Sequence, residues 1–308
     1  MGRELVSDAA WAVLEPLLPD RSPRRGGRWR DHRQVIEGIA YKYRVGVPWR
    51  EVPERFGPWQ TLYERLSRWS AEGTWAGLVA AVQARADLAG ELDWVVSIDS
   101  TLVRVHQHGA ACHEARHEAR HEAQDGTQGA WSNHRNPTSE PADHAIGRSR
   151  GGLTTKIHLA VDGRGRPLSI VLTAGNVNDT TLFHDVLAGI RVPRPAGRPR
   201  TRPQRVIADK AYSSRANRTH LAQRGIKATI PEKDDQIGNR LRRGSAGGRP
   251  YAFDKQHYKR RNVIERRFNR LKDYRGVATR YDRLARNYLG ALNLISLLDW
   301  LKDPPDTP

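Results

Sequence analysis

Three acidic side chains stand out in this chain because of where they sit. Asp99 closes the apolar run VVSID, Asp209 closes VIAD, and Glu265 lies within the charged segment YKRRNVIERRFNRLK. A carboxylate at the end of an apolar strand is costly to bury unless it is paired or bound to a cation. Two such carboxylates on adjacent strands repel each other, and a hard cation with oxygen ligands, Mg²⁺ or Mn²⁺, relieves the repulsion. Taken alone, each aspartate would as readily cap the loop or helix that follows its strand. Glu265 brings a third donor through helix geometry. At ~100° per residue, Tyr258, Arg261, Glu265 and Lys272 share a stripe ~60° wide. Ile264, Phe268 and Leu271 form an apolar strip beside it, which would seat the helix on a sheet and leave Glu265 facing the aspartates. Three carboxylates would then make a metal site, with Arg261 and Lys272 on phosphate oxygens and Tyr258 against sugar or backbone. The competing account of these four residues is a solvated helix face with Arg–Glu pairing at i, i+4.

The surrounding pattern supplies elements that could position such a site. DWVVSIDSTLVRV is a β-branched run, and LTTKIHLAVDGRGRPLSIVLTAG reads as two strands joined by a turn at Asp162-Gly163. HDVLAGI is a short helix, RVIADKAY a buried strand ending in charge, RANRTHLAQRG a helix closed by glycine, and IKATIP another strand. Helical periodicity returns from Lys255 to Leu301 as two helices. These elements describe an α/β domain with a mixed sheet and flanking helices. Asp179, in the turn GNVNDT, is a rival for the second aspartate, but a Gly/Asn-rich turn places it less firmly than the end of a strand.

Before residue 89 the chain reads differently. Trp11, Trp29, Trp49, Trp59, Trp69 and Trp75 are interleaved with helical-period segments such as HRQVIEGIAYKYR and WQTLYERLSRW. A break at Gly46 and Pro48 and a helix start near Pro58 give the outline of a helix-turn-helix unit. Its second helix would carry Thr61–Arg68 to DNA, while Arg24, Arg25, Arg28, Arg30 and Arg33 suit phosphates; an ordinary helical bundle is the alternative. We expect two domains, 1–88 helical and DNA-binding and 89–302 catalytic. Segment 107–146 is expected to be an insertion or disordered. It contains HEARHEARHEA, in which His113, His117 and His121 are spaced four apart; a solvated helix accounts for this repeat better than a metal site. PRPAGRPRTRPQR at 193–205 reads as a rigid basic linker able to touch DNA backbone.

The 52 Lys and Arg against 34 Asp and Glu give a formal net charge of +18 spread along the whole chain, which points to a polyanionic partner, nucleic acid ahead of a membrane surface. No apolar run approaches the ~20 residues needed to span a bilayer, and MGRELVSDAAW lacks the apolar stretch of a signal peptide, so a cytoplasmic, nucleoid-associated location is expected. The single cysteine, Cys112, excludes an internal disulfide framework and a Cys-cluster zinc site.

Tyr258, Arg261, Glu265 and Lys272 match the pattern Y-x2-R-x3-E-x6-K in full. This pattern resembles the signature of insertion-sequence transposases of the families numbered four and five. IDSTLVRVHQH, GRSRGGLTTKIHLAVD, ADKAYSS and YKRRNVIERRFNRLKDYRGVATRYDRL are similar to family five in particular, as are the N-terminal WAVLEPLLP and the tryptophan-rich segment after it. The resemblance implies a ribonuclease-H-like fold and an Asp-Asp-Glu triad carried by Asp99, Asp209 and Glu265, which are also the metal ligands. It further implies double-stranded DNA as partner, both transposon ends and target, and a homodimer assembled on DNA. The implied reaction is hydrolysis at the element's ends followed by attack of the freed 3′ hydroxyl on target DNA, with two ions in the site. A metal-dependent nuclease without strand transfer and a catalytically inactive DNA-binding regulator are the alternatives.

Overall fold

In a computed structural model, residues 5–22, 28–110 and 140–302 are described. The HEAR repeat, Cys112, and Arg24 and Arg25 lie outside them.

The longest strand, β1 (Val95–Val105), organises the sheet. β3 (Gly152–Val161) runs antiparallel along one edge of it, pairing Ser97 with Val161 through to Arg104 with Thr154. β4 (Pro167–Ala174) returns antiparallel on the far side of β3, where the short β2 (Gly147–Ser149) continues the same edge. The turn between β3 and β4 is pinned by Asp162, whose buried carboxylate accepts from the backbone N–H of Arg164 and Arg166 and pairs with the Arg166 guanidinium at 2.8 Å. On the other edge of β1, β5 (Arg205–Ala208) and then β6 (Lys227–Thr229) run parallel to it. Three antiparallel strands followed by two parallel ones on the opposite flank of the first is the ribonuclease-H-like order that the sequence resemblance implied.

That second edge of β1 is not paired along its whole length. β5 covers residues 95 to 98, and β7 (Thr279–Arg280) pairs with Arg104 and Val105. Since β3 occupies the first edge, residues 99–103 face a notch between β5 and β7.

The helical region before the sheet contains α1 (Asp8–Leu14), α2 (His32–Val45), α3 (Trp59–Ala71) and α4 (Thr74–Leu88). Gly46, at φ +82°, ends α2 in the left-handed conformation that suits glycine. Pro58 precedes the first turn of α3 as expected. The connection between these helices, through 3-10 turns at Trp49–Glu51 and Glu54–Phe56, is longer than the roughly four-residue turn of a helix-turn-helix. The break at Gly46 and Pro48 and the helix start near Pro58 lie where the sequence put them, with WREVPERFG between.

Downstream come α5 (Phe183–Ala188), α6 (Arg215–Gln223), α7 (Asp234–Arg242), α8 (Lys255–Lys259), α9 (Asn262–Lys272), α10 (Arg275–Ala278) and α11 (Ala285–Leu301). The two helices expected from Lys255 to Leu301 are therefore several, with α10 and β7 between the long ones. α11 is apolar on almost every face, the pattern of a helix surrounded by protein. It packs on α3 and α4 and on β4, so the N-terminal helices and the sheet share one hydrophobic core. Polar ties reinforce that junction: the indole of Trp300 and the amide of Gln83 both donate to the Pro167 carbonyl, at 2.8 and 3.0 Å. The Tyr43 hydroxyl of α2 donates to Asp282 at 2.9 Å in a buried contact.

Candidate active site

Strand register places the two aspartates. Ile98 of β1 pairs with Ala208 of β5, and the next residue on each strand is Asp99 and Asp209. Parallel neighbours lie about 4.8 Å apart, so both carboxylates stand at the notch where β5 stops. Asp99 is largely shielded, and burial pushes its carboxyl above the usual carboxylate range. The nearby Asp209 adds to the rise, while the Ser100 N–H and Arg261 oppose it. Asp209 accepts from the Ala211 N–H at 2.9 Å, so the capping role that either aspartate could have taken is one that Asp209 does fill.

The third acid arrives by a different path from the expected continuous helix. The chain breaks between α8 and α9, and Arg261 sits at the junction with helical dihedrals. Tyr258 therefore belongs to α8, where its ring lies 5.1 Å from that of Phe253. α9 seats Val263, Ile264, Phe268 and Leu271 in the core as the apolar strip required, and Arg267 is buried against Asp299. Glu265 remains half exposed at the edge of the notch. Between it and the strand stands Arg261, donating to Asp99 Oδ2 at 2.8 Å and to Glu265 Oε1 at 2.7 Å. One guanidinium thus spans the two acids, and the i, i+4 Arg–Glu pair foreseen as the alternative is present. Among the described residues, no three His, Cys, Asp or Glu side chains are gathered closely enough to hold a metal ion. Arg261 stands between Asp99 and Glu265. Arg261 is accordingly on carboxylates, whereas the sequence placed it on phosphate. Lys272 is exposed at the end of α9 with no side-chain partner among the described residues.

The donor set suits a hard divalent cation, for all three side chains are carboxylates and Asp99 and Asp209 repel each other. Two of the three, Asp99 and Glu265, share the Arg261 guanidinium.

Asp179, the rival aspartate, is neutralised differently. Lys156 of β3 reaches it at 2.7 Å and also donates to the Val177 carbonyl at 2.6 Å, which fastens the GNVNDT turn to the sheet. Sequence reasoning passed over this lysine and the groups around it. His158, cross-strand from Ser100, is fully buried, its Nε2 2.9 Å from Thr173 Oγ1 and its Nδ1 without a partner. Burial holds its imidazole at a pKa of about 4. The buried Tyr212 hydroxyl faces Ser100 short of a well-formed hydrogen bond, and burial together with Asp179, Asp99 and Asp209 pushes its pKa far up. A signal was present: Thr154, Lys156 and His158 alternate along β3, opposite Leu153, Thr155, Ile157 and Leu159, so one face of the strand had to be polar.

In the helical region, Arg28 and Arg30 are exposed on either side of Trp29, and Arg68 of α3 stacks over that indole at 5.7 Å. Of these three only Arg68 lies over the ring, which Arg65 also covers at 4.3 Å, while the Arg30 side chain runs beside Gly57. Among the described residues no helix is long and apolar enough to cross a membrane.

Asp99 lies inside β1 and not at a strand end as the sequence suggested, because the strand runs on to pair with β3 and β7, while Asp209 follows the last residue of β5. The sheet order and its flanking helices define a ribonuclease-H-like fold. Residues 90–299 match the family described as "Transposase DDE domain", and the chain belongs to that family. Residues 6–79 match "Putative transposase of IS4/5 family". The chain is similar to the "Putative transposase for insertion sequence element IS6501" of Brucella ovis, 33% identical over 150 residues covering 49% of this chain and 100% of that protein. It is also 34% identical, over 45% of its length, to 57% of the "Putative transposase for insertion sequence element IS402" of Burkholderia cepacia. It is thus an insertion-sequence transposase of the DDE class, an enzyme class that works with divalent metal ions. A crystal structure of the Mos1 strand transfer complex covers 82% of each chain at 11% identity and a TM-score of 0.25, which carries no argument.

Proposed function

We propose that Asp99, Asp209 and Glu265 are the catalytic triad and hold two Mg²⁺ ions, or Mn²⁺ in their place, and that the chain cuts and joins DNA at the ends of its element. The observation that carries this reading is the register of β1 and β5, which sets Asp99 and Asp209 side by side with Arg261 already bridging to Glu265. When bound, the ions would activate the entering oxygen and stabilise the leaving one.

The chain's own residues do the rest. Arg261 keeps the repelling acids together before substrate arrives, then turns to a phosphate oxygen once the site is charged. Lys272, free at the end of α9, meets a neighbouring phosphate, and Tyr258 packs against the backbone. In the first step a water oxygen bonds to phosphorus as the bond to the 3′ oxygen breaks, leaving a 3′ hydroxyl and a 5′ phosphate. In the second, the oxygen of that hydroxyl bonds to a target phosphorus in the same site as the target's bond to its own 3′ oxygen breaks, so the element end is joined to the target's 5′ side and a target 3′ hydroxyl is released. Residues 1–88, through the exposed Arg28, Arg30 and Arg68, bind the terminal inverted repeats; residues 89–302 perform the chemistry. Two copies bridging two ends would make the working assembly a homodimer on DNA.

Glu265→Gln tests the assignment. The variant should fold and bind DNA normally yet leave supercoiled plasmid carrying the element's ends uncut with Mg²⁺ or Mn²⁺. Wild-type cutting by Glu265→Gln would remove the triad. Strand-transfer products from pre-cut ends distinguish this reading from a nuclease that cuts without joining.

A further inference from the structure

The sheet has a second end, and its chemistry differs from that of the carboxylate notch. Val95, Arg205 and Lys227 stand at or near the starts of β1, β5 and β6, and beside them opens a cleft of about 910 Å³. Arg194, Arg202 and Lys227 line it together with Arg200 and Arg205, and no acid is part of its lining. Two of these cations are already engaged. Arg200 pairs with Asp87 at 3.0 Å and lies over the Trp94 ring, and Arg205 donates to Thr229 at 2.7 Å with Asp254 at 3.8 Å. Arg194, Arg202 and Lys227 are exposed and have no side-chain partner among the described residues. Pro199 and Pro203 bracket Arg202 and stiffen the segment that presents it, so little order has to be imposed when an anion binds.

The cleft is also joined to the candidate active site. His257 of α8 lines one wall, and α8 leads within four residues to Arg261 at the acids, with Lys259 exposed on the way. From Val95 to Asp99 is four residues of β1, ~13 Å at ~3.3 Å each. That distance is too great for the reacting phosphate itself. It matches about four base pairs of duplex at 3.4 Å per pair.

We propose that this cleft is a second DNA-binding site, gripping phosphates of the same duplex about four base pairs from the bond being cut. It rests on the reading of DNA as substrate and adds a backbone grip remote from both the acids and the N-terminal helices. Three unpaired cations on a wall without acids suit phosphate oxygens, the kind of contact that positions a duplex without reading its sequence.

The test is fluorescence anisotropy of the full chain with a mixed-sequence duplex over a range of salt. Each lost phosphate contact should flatten the dependence of log affinity on log salt by about 0.9. Replacing Arg194, Arg202 and Lys227 together by Ala should flatten it by about 2 to 3 and lower affinity at low salt at least about tenfold, with an unchanged melting temperature. Arg202→Glu alone, at an exposed position, should weaken binding more than Arg202→Ala, which guards against a folding defect in the triple variant. A control lacking the exposed Arg150, Arg242 and Arg283 should lose less than half as much slope. Wild-type slope in the triple variant, or an equal loss in the control, overturns the cleft while leaving DNA as the substrate. Salt-independent or absent binding by the wild type would overturn the functional reading, and the cleft with it.

Discussion

Removing Arg261 probes the candidate site most directly, because the same side chain should stabilise the metal-free protein and oppose the metal. Arg261 and Asp99 are each about one-fifth exposed or less, at 20% and 17%, and their contact is charge-assisted at 2.8 Å. Such a bond contributes about 1.5–3 kcal/mol. The second contact, to Glu265 at 51% exposure, adds at most about 0.5 kcal/mol after solvent screening. Arg261→Ala should therefore cost about 2 kcal/mol at neutral pH without metal, a fall of several degrees in melting temperature. It leaves Asp99, already pushed upward by burial, facing Asp209 with no counter-charge. With Mn²⁺ the order should reverse. The wild type must break the Arg261 contacts to admit the ion and the variant need not, so the variant should bind Mn²⁺ up to about 30-fold more tightly, the equivalent of about 2 kcal/mol. The assay is thermal unfolding of both proteins across a Mn²⁺ titration, with calorimetric titration as a second readout. An unchanged melting temperature without metal, or equal Mn²⁺ shifts in the two proteins, would refute the reasoning.

Other outcomes follow from the same geometry. His158 should make stability pH-dependent. Its folded pKa of about 4 lies below the ordinary 6.5, so the unfolded chain takes up the proton first, and stability present above pH 6.5 is lost as pH falls towards 4. The loss is roughly 3 kcal/mol at most, and His158→Gln should flatten the melting temperature over that window. Gly290→Ala should destabilise by about 1–3 kcal/mol, because a Cβ on α11 would lie 1.9 Å from Ser70 Oγ of α3. Since that contact lies in the shared core, calorimetry should show one transition moving as a whole. Asp179→Asn should loosen the GNVNDT turn by unpairing Lys156, raising hydrogen exchange at residues 175–182 while Asp209 keeps its cap on Ala211.

Much of the fold was legible because the periodicities are local. Alternation in LTTKIHLAV and its partner marks the hairpin β3–β4, and the strip Ile264, Phe268, Leu271 identifies the buried face of α9. Local signals failed where long-range packing won. α10 and β7 form because β1 offers an unpaired edge at Arg104 and Val105, which nothing in TRYDRL announces. The break before Arg261 was hidden because its residues are good helix formers, and the contacts of Arg261 to Asp99 and Glu265, with Arg260 held to Asp93, coincide with the turn there.

The residue types and their order along the chain were enough, without any coordinates, to show a mixed sheet with flanking helices and to put Asp99 and Asp209 on or next to its strands. Only the tertiary structure decided what stands between Asp99 and Glu265, since the guanidinium of Arg261, just before α9, reaches an aspartate of β1 162 positions earlier in the chain. It likewise decided that the tryptophan-rich helices share a core with the sheet, through an α11 whose apolar surface on all sides must be covered by whatever packs nearest. Spacing fixes which side chains share a face; burial, charge and the space left by neighbours fix what that face touches.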